Sequence, residues 1–437
     1  MKKILRYLVS VFVLLILAVG LYGQWLLDDH QYDGNKITNI AVDASILEQG
    51  AYLVRAGNCM GCHTQRGGAA YAGGRIIRSE FGDFVSPNIT PDIKTGIGRW
   101  TSEDFWQALH NGKSPDGKLL YPAFPYPNYT QVTRQDADRM FAYLKTLTPV
   151  SQENQNHHLH FPYDQRALLA FWRAAYFRPG VFQEQSEQRA MWNRGAYLVN
   201  GLGHCSACHS SRNALGANAG YQDLSGGELA MVNWYAPSLS QKNEAHLLQW
   251  TSTQSQSLLQ NGISGIASVS GPMAEVVAES LQYLSVSDIA AITSYLQSIP
   301  VPQQAPEDML DRSLSSQAIG KETMDRIMLQ GSALYKTHCS DCHGAGGDGV
   351  ASVYPALKGN YAVQSHSVTN PVRMVLAGGF PPSTRGNPRP YGMPPFGPML
   401  TDSEVAVVLT YIRNAWGNQG SVITSAEVNR YRTSPLD

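Results

Sequence analysis

Apolar and polar positions divide the chain into one long apolar run and many short amphipathic segments. The run extends from about Tyr7 to Leu27, behind Lys2, Lys3 and Arg6 and ahead of Asp28 and Asp29. About 20 apolar residues cross a bilayer, and a positive flank stays on the cytoplasmic side. Residues 1–30 therefore read as an N-terminal membrane anchor or signal segment. A cleavable signal would end at small residues such as Ala18-Val19-Gly20. Here Leu21, Tyr22, Trp25, Leu26 and Leu27 continue the run, which favours a retained anchor. No later run reaches 18 apolar residues, so the rest of the chain is expected on the exported side.

The amphipathic segments recur. Gly50-Ala51-Tyr52-Leu53-Val54, Gly195-Ala196-Tyr197-Leu198-Val199 and Gly331-Ser332-Ala333-Leu334-Tyr335 each predict a short helix. Their glycines allow close approach of a second helix. The partners are Thr133 to Lys145, Ser285 to Gln297 and Thr401 to Arg413, in which a hydroxyl N-cap precedes Tyr143, Tyr295 or Tyr411 by ten residues. Between each pair a middle helix ends at Asn111-Gly112, at Asn261-Gly262 and near Gly378-Gly379, the glycines serving as C-caps.

Composition narrows the chemistry. Lys plus Arg is 33 against 34 Asp plus Glu, which excludes a basic nucleic-acid binder. Only 15% of residues are charged, while glycine and proline total 40 and 24, as fits loops wrapped around an apolar group. All six cysteines fall in one pattern: Cys59-x-x-Cys62-His63, Cys205-x-x-Cys208-His209 and Cys339-x-x-Cys342-His343. C-x-x-C-H is the attachment pattern of c-type haem: two thiols add to the porphyrin and the histidine binds iron. Disulfides and zinc fit worse, because a histidine follows every pair and a closed zinc site needs four ligands. Three covalently bound haem c groups are expected.

An iron-bound histidine needs an acceptor for its other nitrogen, and Pro87, Pro237 and Pro355 recur where their carbonyls could serve. Methionine is the expected sixth ligand. Met273 fills that role in the second repeat and Met393 in the third, ahead of Met399, which reads as core packing. In the first, Tyr121-Pro122-Ala123-Phe124-Pro125 puts Phe124 in the methionine slot. That haem is either open at its sixth position or borrows a ligand, with His157, His158 and His160 as candidates, although histidine-rich linkers are more often solvated surface. Met140 reads as a packing residue, and His110, which pairs with Gln260 in the repeat, as a bland residue on a helix flank. No nucleotide fingerprint, catalytic motif or other metal motif is present.

With Asn88-Ile-Thr-Pro-Asp92, Gly96-Ile-Gly-Arg-Trp100, Ser114-Pro-Asp-Gly117 and Met393-Pro-Pro-Phe396 added to the glycine-tyrosine segments, the chain resembles the three-haem cytochrome c subunits of bacterial membrane-bound dehydrogenases from about residue 45 to 418. The resemblance implies a mainly α fold of three tandem class I cytochrome c-like domains behind the membrane segment. It implies a catalytic dehydrogenase partner of quinoprotein, flavoprotein or molybdenum type, oxidising an aldehyde, alcohol or sugar. Electrons would pass to ubiquinone or a terminal oxidase, on the periplasmic side of the inner membrane. The Phe124 form is similar to members that accompany aldehyde or aromatic-heterocycle oxidases. A free-standing carrier and peroxidase-like catalysis at an open first haem are the rival functions.

The expected boundaries are 45–150, 191–302 and 326–418 for the three domains. Linkers lie at 151–190, with an aromatic helix at Arg166 to Phe177, and at 303–325. A polar tail covers 419–437. Packing is the default reading of the aromatic helix, ahead of membrane or partner contact.

Overall fold

The computed structural model describes residues 43–229, 232–241, 244, 250–300 and 319–433. The apolar segment 1–30, most of the 303–325 linker and the last four residues of the tail lie outside the described residues. Among the described residues no helix is long and apolar enough to cross a membrane.

The fold is helix-rich, and one helix crossing recurs in it. Helices α1 (Ala44–Ala56), α2 (Ser102–Asn111) and α3 (Arg134–Leu144) come first. The Thr133 hydroxyl accepts the Asp136 N–H and starts α3 where the sequence predicts. At the α1–α3 crossing a side chain on Gly50 would come within 2.9 Å of Tyr143 Cβ, so only glycine lets the backbones meet. Beside them, β1 (Ile76–Ser79) and β2 (Gly82–Val85) form an antiparallel hairpin in register Ile76–Val85 and Ser79–Gly82. From the linker, β3 (His158–Leu159) adds to β2, and α4 (Leu169–Tyr176) is the expected aromatic helix. Leu169 and Phe177 are buried, but Leu168, Phe171 and Tyr176 are exposed, so packing accounts for only part of its apolar surface.

The second copy uses α5 (Ala190–Tyr197), β4 (Gly227–Leu229), β5 (Trp234–Ala236), α6 (Ser252–Asn261), α7 (Gly271–Glu279) and α8 (Val286–Ser298). Gly195 crosses α8 at Tyr295, whose Cβ would be 2.7 Å from an added side chain. The third uses α9 (Lys321–His338), α10 (Thr369–Ala377) and α11 (Asp402–Asn414), and Gly331 meets Val407 and Tyr411. Helix α9 begins at Lys321, inside the stretch read as linker. The tail reading needs a correction: α12 (Ser425–Arg432) forms there, capped by Thr424 and Glu427, with Val428 fully buried.

The first two copies are not separate in their packing. One apolar core runs from Leu53, Trp106 and Met140 through Leu198 and Leu202 to Ile289 and Leu296. The third copy has its own core around Val372, Val405 and Ile412. The shared core carries a reciprocal clasp. Tyr52 donates to Asp288 at 2.6 Å, and Tyr197 donates to Asp136 at 2.7 Å. The two tyrosines hold the same place in the repeated Gly-Ala-Tyr segment, and both aspartates lie three residues past an N-cap. The two copies therefore face each other across an approximate twofold. The third has Ala333 and Glu404 at those places. It joins instead through Asn370, whose side chain both accepts from and donates to the Tyr235 backbone, at 2.8 and 2.7 Å.

Candidate haem sites

Each cysteine pair lies on one helical turn: Cys59–His63, Cys205–Ala207 leading into Cys208 and His209, and Ser340–His343 preceded by Cys339. The first two turns leave the preceding helix through a left-handed residue, Asn58 at φ 48° and His204 at φ 40°. The i,i+3 spacing brings both thiols of a pair to one side of the turn. All six thiols are unpaired. Burial pushes Cys59 and Cys205 up to about 12 and Cys62 and Cys339 up to about 11, so these thiols are held neutral.

The three histidines are held alike at both ends. His63 Nδ1–H donates to Pro87 O at 2.8 Å, His209 to Pro237 O at 2.7 Å and His343 to Pro355 O at 2.9 Å. This fixes the tautomer and leaves each Nε2 lone pair for a metal. Burial holds all three rings below the usual histidine range, against the pull of these carbonyls, which keeps them neutral. The proline carbonyls are where the sequence places them.

A second set of contacts has no counterpart in the sequence reading. The N–H groups of Gly73, Gly226 and Gly349 donate to the carbonyls of His63, His209 and His343 at 2.8, 2.9 and 2.9 Å. All three glycines have positive φ, at 78°, 86° and 65°. An added Cβ would lie 2.5 Å from Pro87 C, 2.6 Å from Ser238 N and 2.8 Å from Pro355 C. Histidine, glycine and proline thus form one clamp, made three times.

The third copy shows most clearly whether haem would fit. A solvent-open cleft of about 700 Å³, counting the open solvent at its mouth, is lined by Cys339, Cys342, His343 and Met393 together. Apolar walls from Phe396, Phe380 and Pro355 suit a porphyrin. Met393 is fixed by paired backbone bonds with Gly379, at 2.8 and 3.0 Å. Met374, not singled out from the sequence, lines the same cleft. Met399 is 61% exposed, which corrects its reading as core packing.

Met273 lies in the first turn of α7 rather than in a loop. That helix packs on the Cys59–His63 turn of the first copy. Arg75 there donates to the Gly61 carbonyl and makes a two-point ion pair with Glu275. Phe124 packs on Tyr129, ring centres 5.3 Å apart, and Tyr129 donates to Gly57 O at 2.7 Å. His204 approaches Tyr129 from the second copy, at 5.2 Å.

The linker histidines take other positions. His157 accepts the Val85 N–H at 3.1 Å and packs on Phe84 and Tyr121, while His158 of β3 lies opposite Asp83 of β2 in the sheet register. His110 stacks on Trp106, and Met140 is fully buried in the shared core.

These turns and clamps define a c-type cytochrome, and residues 47–148 and 328–416 match the Cytochrome c family. Similarity to individual proteins extends further. The alcohol dehydrogenase (quinone) cytochrome c subunit of Gluconacetobacter polyoxogenes is 35% identical over 400 residues, 89% of this chain and 85% of that one. The gluconate 2-dehydrogenase cytochrome c subunit of Pantoea cypripedii is 34% identical, covering 88% of both. A nicotinate dehydrogenase subunit of Pseudomonas putida is 39% identical over 88% of this chain but only 32% of its own length. The chain belongs to the family of cytochrome c subunits of bacterial dehydrogenases. Covalently bound haem c and electron transfer from a partner dehydrogenase come with that membership.

Proposed function

We propose that this chain carries three covalent haem c groups and relays electrons from a catalytic dehydrogenase subunit to ubiquinone or a terminal oxidase. The threefold histidine-glycine-proline clamp carries the reading, since it orients three imidazoles identically beside three thiol pairs. Cys59 and Cys62, Cys205 and Cys208, and Cys339 and Cys342 would hold the porphyrins. His63, His209 and His343 would be the axial ligands, with Met273 and Met393 as sixth ligands of the second and third haems. When bound, the haem supplies a one-electron ferric/ferrous couple. The chain's residues hold the imidazoles neutral and would give the group apolar surroundings. The long apolar N-terminal segment supports a place on the periplasmic side of the inner membrane. The partner is a dehydrogenase whose substrate is bound on another polypeptide. Similarity to a nicotinate dehydrogenase subunit and the Phe124 form favour an aldehyde or aromatic-heterocycle oxidising partner over an alcohol one.

Counting haem per chain by the pyridine haemochrome of the purified protein tests the number. Three per chain is expected, falling to two when both cysteines of any one pair are changed to alanine. Copurification with a dehydrogenase whose substrate reduces the haems tests the role. A purified chain with no such partner, whose haems no substrate reduces, would favour the free-standing carrier.

A further inference from the structure

The peptide that holds His209 is itself held by a buried charge. Its carbonyl, on Pro237, accepts from His209 Nδ1 at 2.7 Å, and its N–H, on Ser238, donates to a Glu244 carboxylate oxygen at 2.6 Å. Glu244 is 1% exposed. Tyr235 from β5 donates to both its oxygens, at 3.0 and 2.8 Å, and Ser365 donates at 3.3 Å. His366 closes the site with its Nδ1 against the same carboxylate. Ser365 and His366 belong to the third copy, and buried Arg413 fixes that segment by donating to Ser365 O at 3.0 Å. Also charged on this interface are Glu228 of β4, held by Ser367 and Thr369 at 2.8 and 3.2 Å, and buried Arg373, which lies over the Trp234 ring at 4.8 Å.

The equivalent peptides differ. In the first copy the Asn88 N–H donates to the neutral amide of Asn154 at 2.7 Å. In the third, among the described residues, no carboxylate takes the Ala356 N–H. Glu244 aligns with Lys94 when Trp100 and Trp250 are matched, so the carboxylate is particular to the second copy.

An amide is a conjugated unit. A carboxylate on its N–H raises the electron density on its carbonyl oxygen, strengthens the bond from the imidazole and makes that imidazole a stronger donor. Such a histidine favours ferric over ferrous iron, as does a negative charge buried in low dielectric. We propose that Glu244 is a positioning residue that lowers the reduction potential of the second haem by charging the peptide that holds His209, and that His366 of the third copy moderates that charge. The inference rests on the reading that His209 binds iron.

Potentiometric titration of the full-length holoprotein, followed in the haem absorbance bands, tests it. Glu244→Gln keeps an acceptor for Ser238 but removes the charge. It should shift the reduction equilibrium of one haem at least tenfold towards the ferrous state, about 59 mV for a one-electron couple. The other two potentials should hold. His366→Gln removes the ring that pairs with the carboxylate and should shift the same haem the opposite way. A purely structural role would lower the unfolding midpoint and leave the potentials alone. Unchanged potentials in Glu244→Gln, with three haems attached, overturn the proposal. Should that variant not assemble, an unchanged or raised potential in His366→Gln overturns it. If His209→Ala leaves all three haem spectra and potentials intact, the ligand reading fails instead.

Discussion

Phe124 stands where two other copies offer methionine, and its ring lies against Tyr129 rather than reaching for a metal. A phenyl ring has no lone pair to give iron, so the first haem should be the one that binds carbon monoxide when the protein is reduced. Phe124→Met should abolish that binding and raise the potential. Three low-spin haems that ignore carbon monoxide in the unaltered protein would remove the peroxidase-like alternative as well. The cysteines, histidines and prolines of the sites are legible because they recur in a recognisable order. The clamping glycines are not, since they follow their histidines by ten, seventeen and six residues, a spacing without a period. Gly226→Ala would need a left-handed backbone at φ 86° and would drive Cβ to 2.6 Å from Ser238 N. We expect a loss of about 2–3 kcal/mol in urea unfolding followed by circular dichroism.

Among the elements, the glycine crossings show why the first and last helices of each copy can be paired from sequence alone. A glycine followed by apolar residues and a capped helix ending at a tyrosine make a local pattern with a long-range meaning. Gly195→Val should force α5 and α8 apart at Ala291 and Tyr295, at a cost of about 2–4 kcal/mol, read from the thermal midpoint. Helix α12 escapes the sequence reading because only one of its residues, Val428, is fully buried, which gives no helical period. Its Thr424–Glu427 capping box is a real signal, with both hydrogen bonds formed, but it is easily passed over in a polar tail. Pro272 stands in the first turn of the helix that carries Met273, where proline is compatible with a helix start.

At the scale of the whole molecule, the repeats predict three equivalent units, while packing groups two of them. Nothing in either repeat alone shows that Tyr52 and Tyr197 exchange partners, because the signal is a surface complementarity between distant segments. Burial pushes the Asp288 carboxyl up, but its bonds from Arg194 at 2.8 and 2.7 Å and from Tyr52 hold it below the usual carboxylate range. A depressed folded pKa stabilises the fold fully above about pH 4, the ordinary value, and that contribution is lost as pH falls through the lower folded value. Asp288→Asn should therefore cost about 1–2 kcal/mol at neutral pH and flatten the acid limb of the stability profile, measured by urea titration between pH 3 and 7. Arg194 is one-third exposed, which keeps the figure modest. The twofold of the reciprocal clasp is approximate, since Phe124 and Lys94 of the first copy stand where the second has Met273 and Glu244. By docking on β5 through Asn370, the third copy makes the two ends of the pair different. The third copy thus engages the pair on one side only, through residues that take no part in the clasp.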